Sequence, residues 1–213
     1  PRYYDADRDA PTPPIAGLAD HARHKNWHYI DVDRSGKVVS GQLEQRLNEL
    51  SQLLAANADK ARVSWALPWL SHLVADIHQP LHVGHTEDDG GTEFEIENPF
   101  NPRQPFSSLH RYWDDLPGPP WLRGKRLNER VDGLLAAYPP PSRGDVRQWR
   151  EESHRLLAQV VYPDTAGSLL PIITEPFHQR ARQVAERRLV DAGYRLGWLL
   201  EQRLKPRVSR ETK

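Results

Sequence analysis

The stretch Ser71–His82, SHLVADIHQPLH, places three histidines and one aspartate among otherwise mainly apolar residues. If the chain is helical up to Ile77, His72 and Asp76 share one face, with Cβ atoms ~5–6 Å apart. At that spacing an imidazole and a carboxylate can hold one metal ion. Pro80 removes a backbone donor and disfavours helix at the residue before it, so the helix is expected to end or kink near His78 and to aim His82 elsewhere. One metal can then be held by the helix and another by the turn. His78 and His82 have the same spacing and compete as a ligand pair, and such a pair is also common on ordinary helix surfaces. The apolar setting of Leu70, Leu73, Val74, Ile77 and Leu81 favours the metal, because buried polar groups need partners.

The same geometry recurs in LHRYWD, where His110 and Asp114 are again four apart, beside Trp113. Two such pairs arise by chance far less often than one. Imidazole and carboxylate without thiolate suit a zinc site that keeps open coordination positions rather than a closed structural site. The chain has no cysteine, so disulfides, cysteine-zinc sites and thiol nucleophiles are excluded.

The elements that must position these residues are mainly helices. Leu43, Leu47, Leu50 and Leu54 follow a helical stripe, and a second runs from about 60 to 77 with Trp65, Leu70, Leu73 and Val74 facing inward. The two predict an antiparallel pair, with Pro68 kinking the second or marking its true beginning. Between the two histidine motifs, Thr92, Phe94 and Ile96 alternate with glutamates after Gly90 and Gly91, which predicts a small hairpin turning at the glycines. Helices follow at 109–113, 128–137, 145–160 and 175–204. Their core candidates are Val146, Trp149, Leu156, Leu157 and Val160, then Val184, Leu189, Ala192, Leu196 and Leu200. His154 and His178 lack carboxylates at ligand spacing and read as structural or surface residues. Arg180, Arg182, Arg187 and Arg188 alternate with Glu186 and Asp191 and read as a solvated face. Residues 1–40 read mostly as loop. Asp31, Asp33 and Ser35-Gly36 suggest a calcium loop, but Gln42 stands where the bidentate glutamate belongs.

With 213 residues and no linker or composition break, the chain reads as a single domain, 1–213, of the all-α class with a small β-hairpin excursion. Lysine plus arginine and aspartate plus glutamate balance at 29 each, so composition announces no nucleic-acid surface. No run is long and apolar enough for a membrane span, and no secretion signal opens the chain. Prolines in PTPP, PGPP and YPPPS mark extended connections between helices.

Together these residues resemble the zinc-dependent single-strand nucleases of the S1/P1 type, relatives of the bacterial zinc phospholipases C. His72 to His82 is similar to the family's HxxxDxxQPLH. Gly90-Gly91 resembles its GGN, His110 to Asp114 its NLHxxWD, and Ala192-Gly193-Tyr194-Arg195-Leu196 its AGxRLA. Upstream, Tyr3 to Arg8 is similar to W[AP]DxxR with tyrosine for tryptophan, and His28-Tyr29-Ile30-Asp31 to HY[IV]D. The resemblance spans nearly the whole chain. Thr92 and Ser108 stand where the family has asparagines, so hydrogen bonds of those amides are expected to be lost or rearranged. His78 is an imidazole outside the family's ligand pattern, expected beside the site.

The resemblance implies that Asp5, His28, His72 and Asp76 hold one zinc, and that His82, His110 and Asp114 hold a second. A third would bridge from Asp76 if residues ahead of Pro1 complete it. It implies a phosphodiesterase that cleaves single-stranded DNA or RNA to 5′-nucleotides and acts as a 3′-nucleotidase, as a monomer outside the cytoplasm, periplasmic or secreted. Asp5 and Asp76 would serve the metal cluster that carries the attacking water. Arg8 would grip a phosphate oxygen with its guanidinium fork. Tyr29 and Asp31 would supply a stacking wall and a base-edge acceptor; stacking on an aromatic ring is worth ~1–3 kcal/mol and requires an unpaired base. The alternatives are a phospholipase C-type phosphodiesterase, disfavoured by Asp114 where phospholipases carry glutamate and by a mean hydropathy of −0.75, and a non-catalytic zinc-binding helical protein with an incomplete cluster.

Overall fold

The computed structural model describes residues 24–55, 60–118, 122–165 and 167–204. Asp5 and Arg8 lie outside the described residues. Among those described, the fold is helical, with α1 Leu43–Ala55, α2 Lys60–His78, α3 Leu109–Asp115, α4 Gly124–Ala137, α5 Val146–Leu156 and α6 Glu175–Leu204. Two small antiparallel hairpins accompany them, β1 Ile30–Val32 with β2 Val38–Gly41, and β3 Glu95–Glu97 with β4 Phe106–Ser108. No described helix is long and apolar enough to cross a membrane.

The leucine stripe of α1 is buried as its period requires. It packs on α2, and α2 packs in turn on α5 and α6. Ala66, Trp69, Leu70, Leu73, Val74, Ile77 and His78 are all buried, so the second half of α2 is enclosed on several sides and forms the centre of the molecule. Pro68 stands inside α2 rather than at its start, since the helix already runs from Lys60.

Asp145 opens α5 with a reciprocal capping box: its carboxylate accepts from Gln148 N at 2.8 Å while Gln148 Oε1 accepts from Asp145 N at 2.9 Å. The helix then widens into a π-helical turn, Leu157–Val161. One core gathers α1, α2, Trp27, β1 and Trp149. A second gathers Leu81, Ile96, Leu109, Trp113, Leu157, Val161 and the first half of α6. The chain crosses between these cores at the end of α2, which is where the first histidine motif lies.

Within the segment before α1, read as mostly loop, β1 pairs Asp31 with Ser40 through a bulged ladder. Two expectations are corrected. Gly90-Gly91 is not the turn of the second hairpin, which closes through residues 98–105. Leu189 faces outward, 40% exposed, because it lies at the margin of the α4–α6 contact.

Candidate metal centres

The helix ends where Pro80 predicts. Gln79 leaves it in an extended conformation (φ −85°, ψ 118°) and its side chain caps the short 3-10 turn Pro80–Val83, which carries His82 away from the axis of α2. His72 and Asp76 stay on α2. Across from them comes His28, which follows the 3-10 turn Lys25–Trp27. Gly41, at φ +86°, lets β2 close against this segment: a Cβ there would lie 2.1 Å from the Tyr29 carbonyl oxygen.

His28 Nδ1 lies 3.0 Å from Asp76 Oδ2 and 3.0 Å from His72 Nε2, and His72 Nε2 lies 3.3 Å from the same carboxylate oxygen. Three ligand-type atoms from two distant segments thus converge within the span of one ion. Burial would raise the Asp76 carboxyl, but His82, His28 and His72 outweigh it and hold the group below its usual value.

The second cluster is His82, His110 and Asp114. Asp114 presents Oδ1 to His82 Nε2 at 3.5 Å and Oδ2 to His110 Nε2 at 3.6 Å. Both rings donate through Nδ1 to backbone carbonyls, His82 to His28 O at 2.6 Å and His110 to Gly90 O at 2.9 Å. A carbonyl only accepts, so Nδ1 carries the proton and Nε2 of the neutral ring is left as a ligand atom. Donor types therefore fit a zinc ion in each cluster, and in the second the tautomers fit it as well. Burial works against charge on His82, yet Asp76 and Asp114 raise it to about 9. Burial likewise opposes charge on Asp114, but His82 and His110 hold its carboxyl far below the usual range.

The two clusters adjoin, since His82 bonds to the backbone of His28 and its charge acts on Asp76. Gly90 and Gly91 hold His110 rather than a hairpin. Gly90, at φ +58°, leaves room for the Leu81 carbonyl oxygen, which a Cβ would approach to 2.7 Å, and Gly91 O accepts from His110 N at 3.1 Å. Asp88 fixes this turn, with Oδ1 accepting from Gly91 N at 3.0 Å and Oδ2 from Tyr162 Oη at 2.8 Å. Ser108 caps α3 through Arg111 N at 3.3 Å, so the serine supplies a bond at the position where asparagine stands in the resembled motif.

Tyr29 follows His28 directly, and Asp31 lies on β1. Burial raises the Tyr29 phenol, and Asp31 and Asp89 add to it; Asp31, also raised by burial, accepts from Ser40 Oγ.

His78 is not part of either cluster. It is 1% exposed, donates from Nδ1 to Val74 O at 2.7 Å and accepts at Nε2 from Arg195 Nη1 at 2.9 Å. Burial, with Arg188 and Arg195 beside it, holds its pKa well below the usual histidine value.

Arg188 is not on a solvated face. It bonds to Glu152 at 2.7 Å, Ser153 Oγ at 2.8 Å and His78 O at 3.1 Å, while Arg195 grips Glu152 with bonds of 2.6 and 2.8 Å. Ser153 Oγ in turn donates to Ile77 O at 2.6 Å. These side chains of α5 and α6 occupy the last carbonyls of α2 and fix the end of the helix that carries Asp76. The seven-residue spacing of Arg188 and Arg195, with Ala192 between them, was the signal in the sequence. His178 is structural, with Nδ1 hydrogen-bonded to Tyr112 Oη at 3.0 Å and its ring stacked on Phe100. His154 lies beside Gly36 and His85.

The sequence has similar stretches in known proteins. Endonuclease 4 of Arabidopsis thaliana is 27% identical over 199 residues, covering 83% of this chain and 60% of that protein. Endonuclease 1 of the same plant is 34% identical over 77 residues, 36% of this chain and 24% of its own length, and Endonuclease 5 is 31% identical over 102 residues, 46% and 29%. This chain thus matches no more than 60% of the length of any of the three. The family model of the S1/P1 nucleases matches residues 11–205, a span that includes both clusters, β1 and the buried arginines of α6. The chain belongs to the S1/P1 nuclease family.

Proposed function

We propose that this chain is a zinc-dependent phosphodiesterase that hydrolyses single-stranded DNA and RNA to 5′-nucleotides and removes phosphate from 3′-nucleotides. The observation that carries the reading is the adjacency of two His/His/Asp sets, joined by the 2.6 Å bond from His82 Nδ1 to His28 O. Cleaving a phosphodiester requires an acidic water, neutralised phosphate oxygens and a stabilised leaving alkoxide. Zinc supplies these by Lewis acidity and by bringing the pKa of water to ~7.

In this reading His28, His72 and Asp76, with Asp5, form the centre on the side of the attacking water. His82, His110 and Asp114 form the centre on the side of the leaving 3′-oxygen. Asp76, kept ionised by three imidazoles, stays an acceptor at neutral pH. Tyr29 offers a ring face to an unpaired base, and Asp31 an acceptor to its edge. Arg8 takes a phosphate oxygen. The family's work outside the cytoplasm is proposed for this chain as well.

Zinc-loaded protein offered single-stranded DNA, duplex DNA, RNA, a 3′-nucleotide and phosphatidylcholine side by side is expected to cleave the single strands and the 3′-nucleotide. Cleavage of phosphatidylcholine alone replaces this reading with a phospholipase. Zinc uptake with no hydrolysis of any substrate leaves a metal-binding scaffold.

A further inference from the structure

Gln79 occupies a junction that neither cluster explains. Its backbone N–H donates to Asp76 O at 2.9 Å, its side-chain Oε1 accepts from Leu81 N at 2.6 Å, and its Nε2 donates to Asp114 Oδ1 at 2.8 Å. The Leu81 bond fixes which end of the amide is oxygen, so the NH₂ group has one direction left, toward Asp114. One residue therefore ties together the end of the helix that carries Asp76, through its backbone, and the turn that carries His82 and the carboxylate that faces His110, through its side chain.

We propose that Gln79 is the positioning residue of the second metal centre, acting through Asp114. This rests on the reading that zinc binds at His82, His110 and Asp114. The Asp114 side chain is 41% exposed on a seven-residue helix, and its contacts to His82 and His110, at 3.5 and 3.6 Å, are longer than the 2.8 Å bond from Gln79. With Nε2 of Gln79 bonded to Oδ1, the Asp114 carboxylate is held in one orientation, with Oδ2 toward His110 Nε2. The same amide, by capping the 3-10 turn, sets His82 on the opposite side. Partners of this kind typically change metal affinity 10–100-fold when removed. A donor is required here: a carboxylate at 79 could still accept from Leu81 N but would face Asp114 without a proton to offer.

The test is zinc titration against a chromophoric chelator, resolving two affinity classes, of which the one lost in His110→Ala is the second centre. Gln79→Ala is expected to weaken that class about 10–100-fold, to leave the other class within threefold, and to move the melting temperature of the metal-free protein by only a few degrees. Gln79→Met, which keeps the length of the side chain, is expected to give the same loss. Added to Asp114→Ala, the Gln79→Ala change is expected to cost less than threefold, because its effect passes through the missing carboxylate. A role limited to capping the turn costs the same in both backgrounds, and that result overturns the proposal. So does unchanged second-centre affinity in Gln79→Ala. A wild-type chain with no zinc class sensitive to His110→Ala overturns the metal reading itself, and the positioning role with it.

Discussion

Two residues four apart on a helix reach one ion because the α-helix brings them one above the other. His72 with Asp76 and His110 with Asp114 were therefore legible from spacing alone, while their third members were not. His28 enters from 44 positions away and His82 depends on how Gln79 leaves the helix. Three-dimensional partners such as Asp88 and Tyr162 carry no local signal that ties them to a metal. Asp114→Ala is expected to weaken zinc binding at the second centre to what His82 and His110 hold alone, still measurable by titration, and to lower cleavage of single-stranded DNA by at least ~100-fold, since Lewis-acid stabilisation is worth several kcal/mol. Metal analysis and an initial-rate assay on the same preparation check both. Gly90→Ala combines a positive φ with a Cβ 2.7 Å from the Leu81 oxygen. It is expected to destabilise the protein by ~1–3 kcal/mol and to weaken the second zinc class by displacing the carbonyl that orients His110. Denaturant unfolding and zinc titration read the two effects, and a variant as stable as the wild type contradicts the role given to this turn.

The helices were legible from their apolar period, and Pro80 marked the end of α2 within a residue. The first hairpin was not, because β1 has three residues and β2 is largely exposed, too short and too polar for alternation to register. Of the arginines of α6 read as a solvated face, Arg180 and Arg182 are exposed, but Arg188 misled for a different reason: charge alternation along a helix reads as surface, while Arg188 is drawn inside, beside Arg195, by Glu152, Ser153 and the carbonyl of His78. This cluster is the device by which α5 and α6 hold the end of α2. Burial would raise the Glu152 carboxyl, but its bonds to Arg195 and Arg188 bring it below its ordinary 4.5. A depressed carboxyl contributes stability that is fully present above 4.5 and is lost as pH falls through its folded value. Glu152→Gln is expected to be less stable than the wild type at pH 7 and to lose less of its remaining stability on acidification below pH 4.5. Thermal melts of the metal-free proteins across that range measure it, and parallel acid limbs contradict the assignment.

At the scale of the molecule, the two clusters lie on the seam between two hydrophobic cores, and their ligands come from the His28 segment, α2, the turn after it and α3. Metal bound there would add ligand bonds between parts of the chain that otherwise meet by packing and by the few polar contacts among His28, Asp76, His82, Gln79 and Asp114. Binding to the folded form alone stabilises by about 2.7 kcal/mol at a free zinc concentration 100 times Kd. For a chain of this size that corresponds to about 5–11 °C. Chelation is expected to lower the melting temperature by an amount of this order, zinc to restore it, and the response to shrink when His28 or His110 is replaced by alanine. Equal melting temperatures with and without chelator contradict a metal that joins the two cores. The most direct measurement is zinc-edge anomalous diffraction from crystals of the zinc-loaded protein. One peak is expected among His28 Nδ1, His72 Nε2 and Asp76 Oδ2, and another among His82 Nε2, His110 Nε2 and the Asp114 carboxylate, each about 2.0–2.2 Å from its ligand atoms. No peak at these positions, or zinc held by other residues while the protein cleaves single strands, contradicts the account.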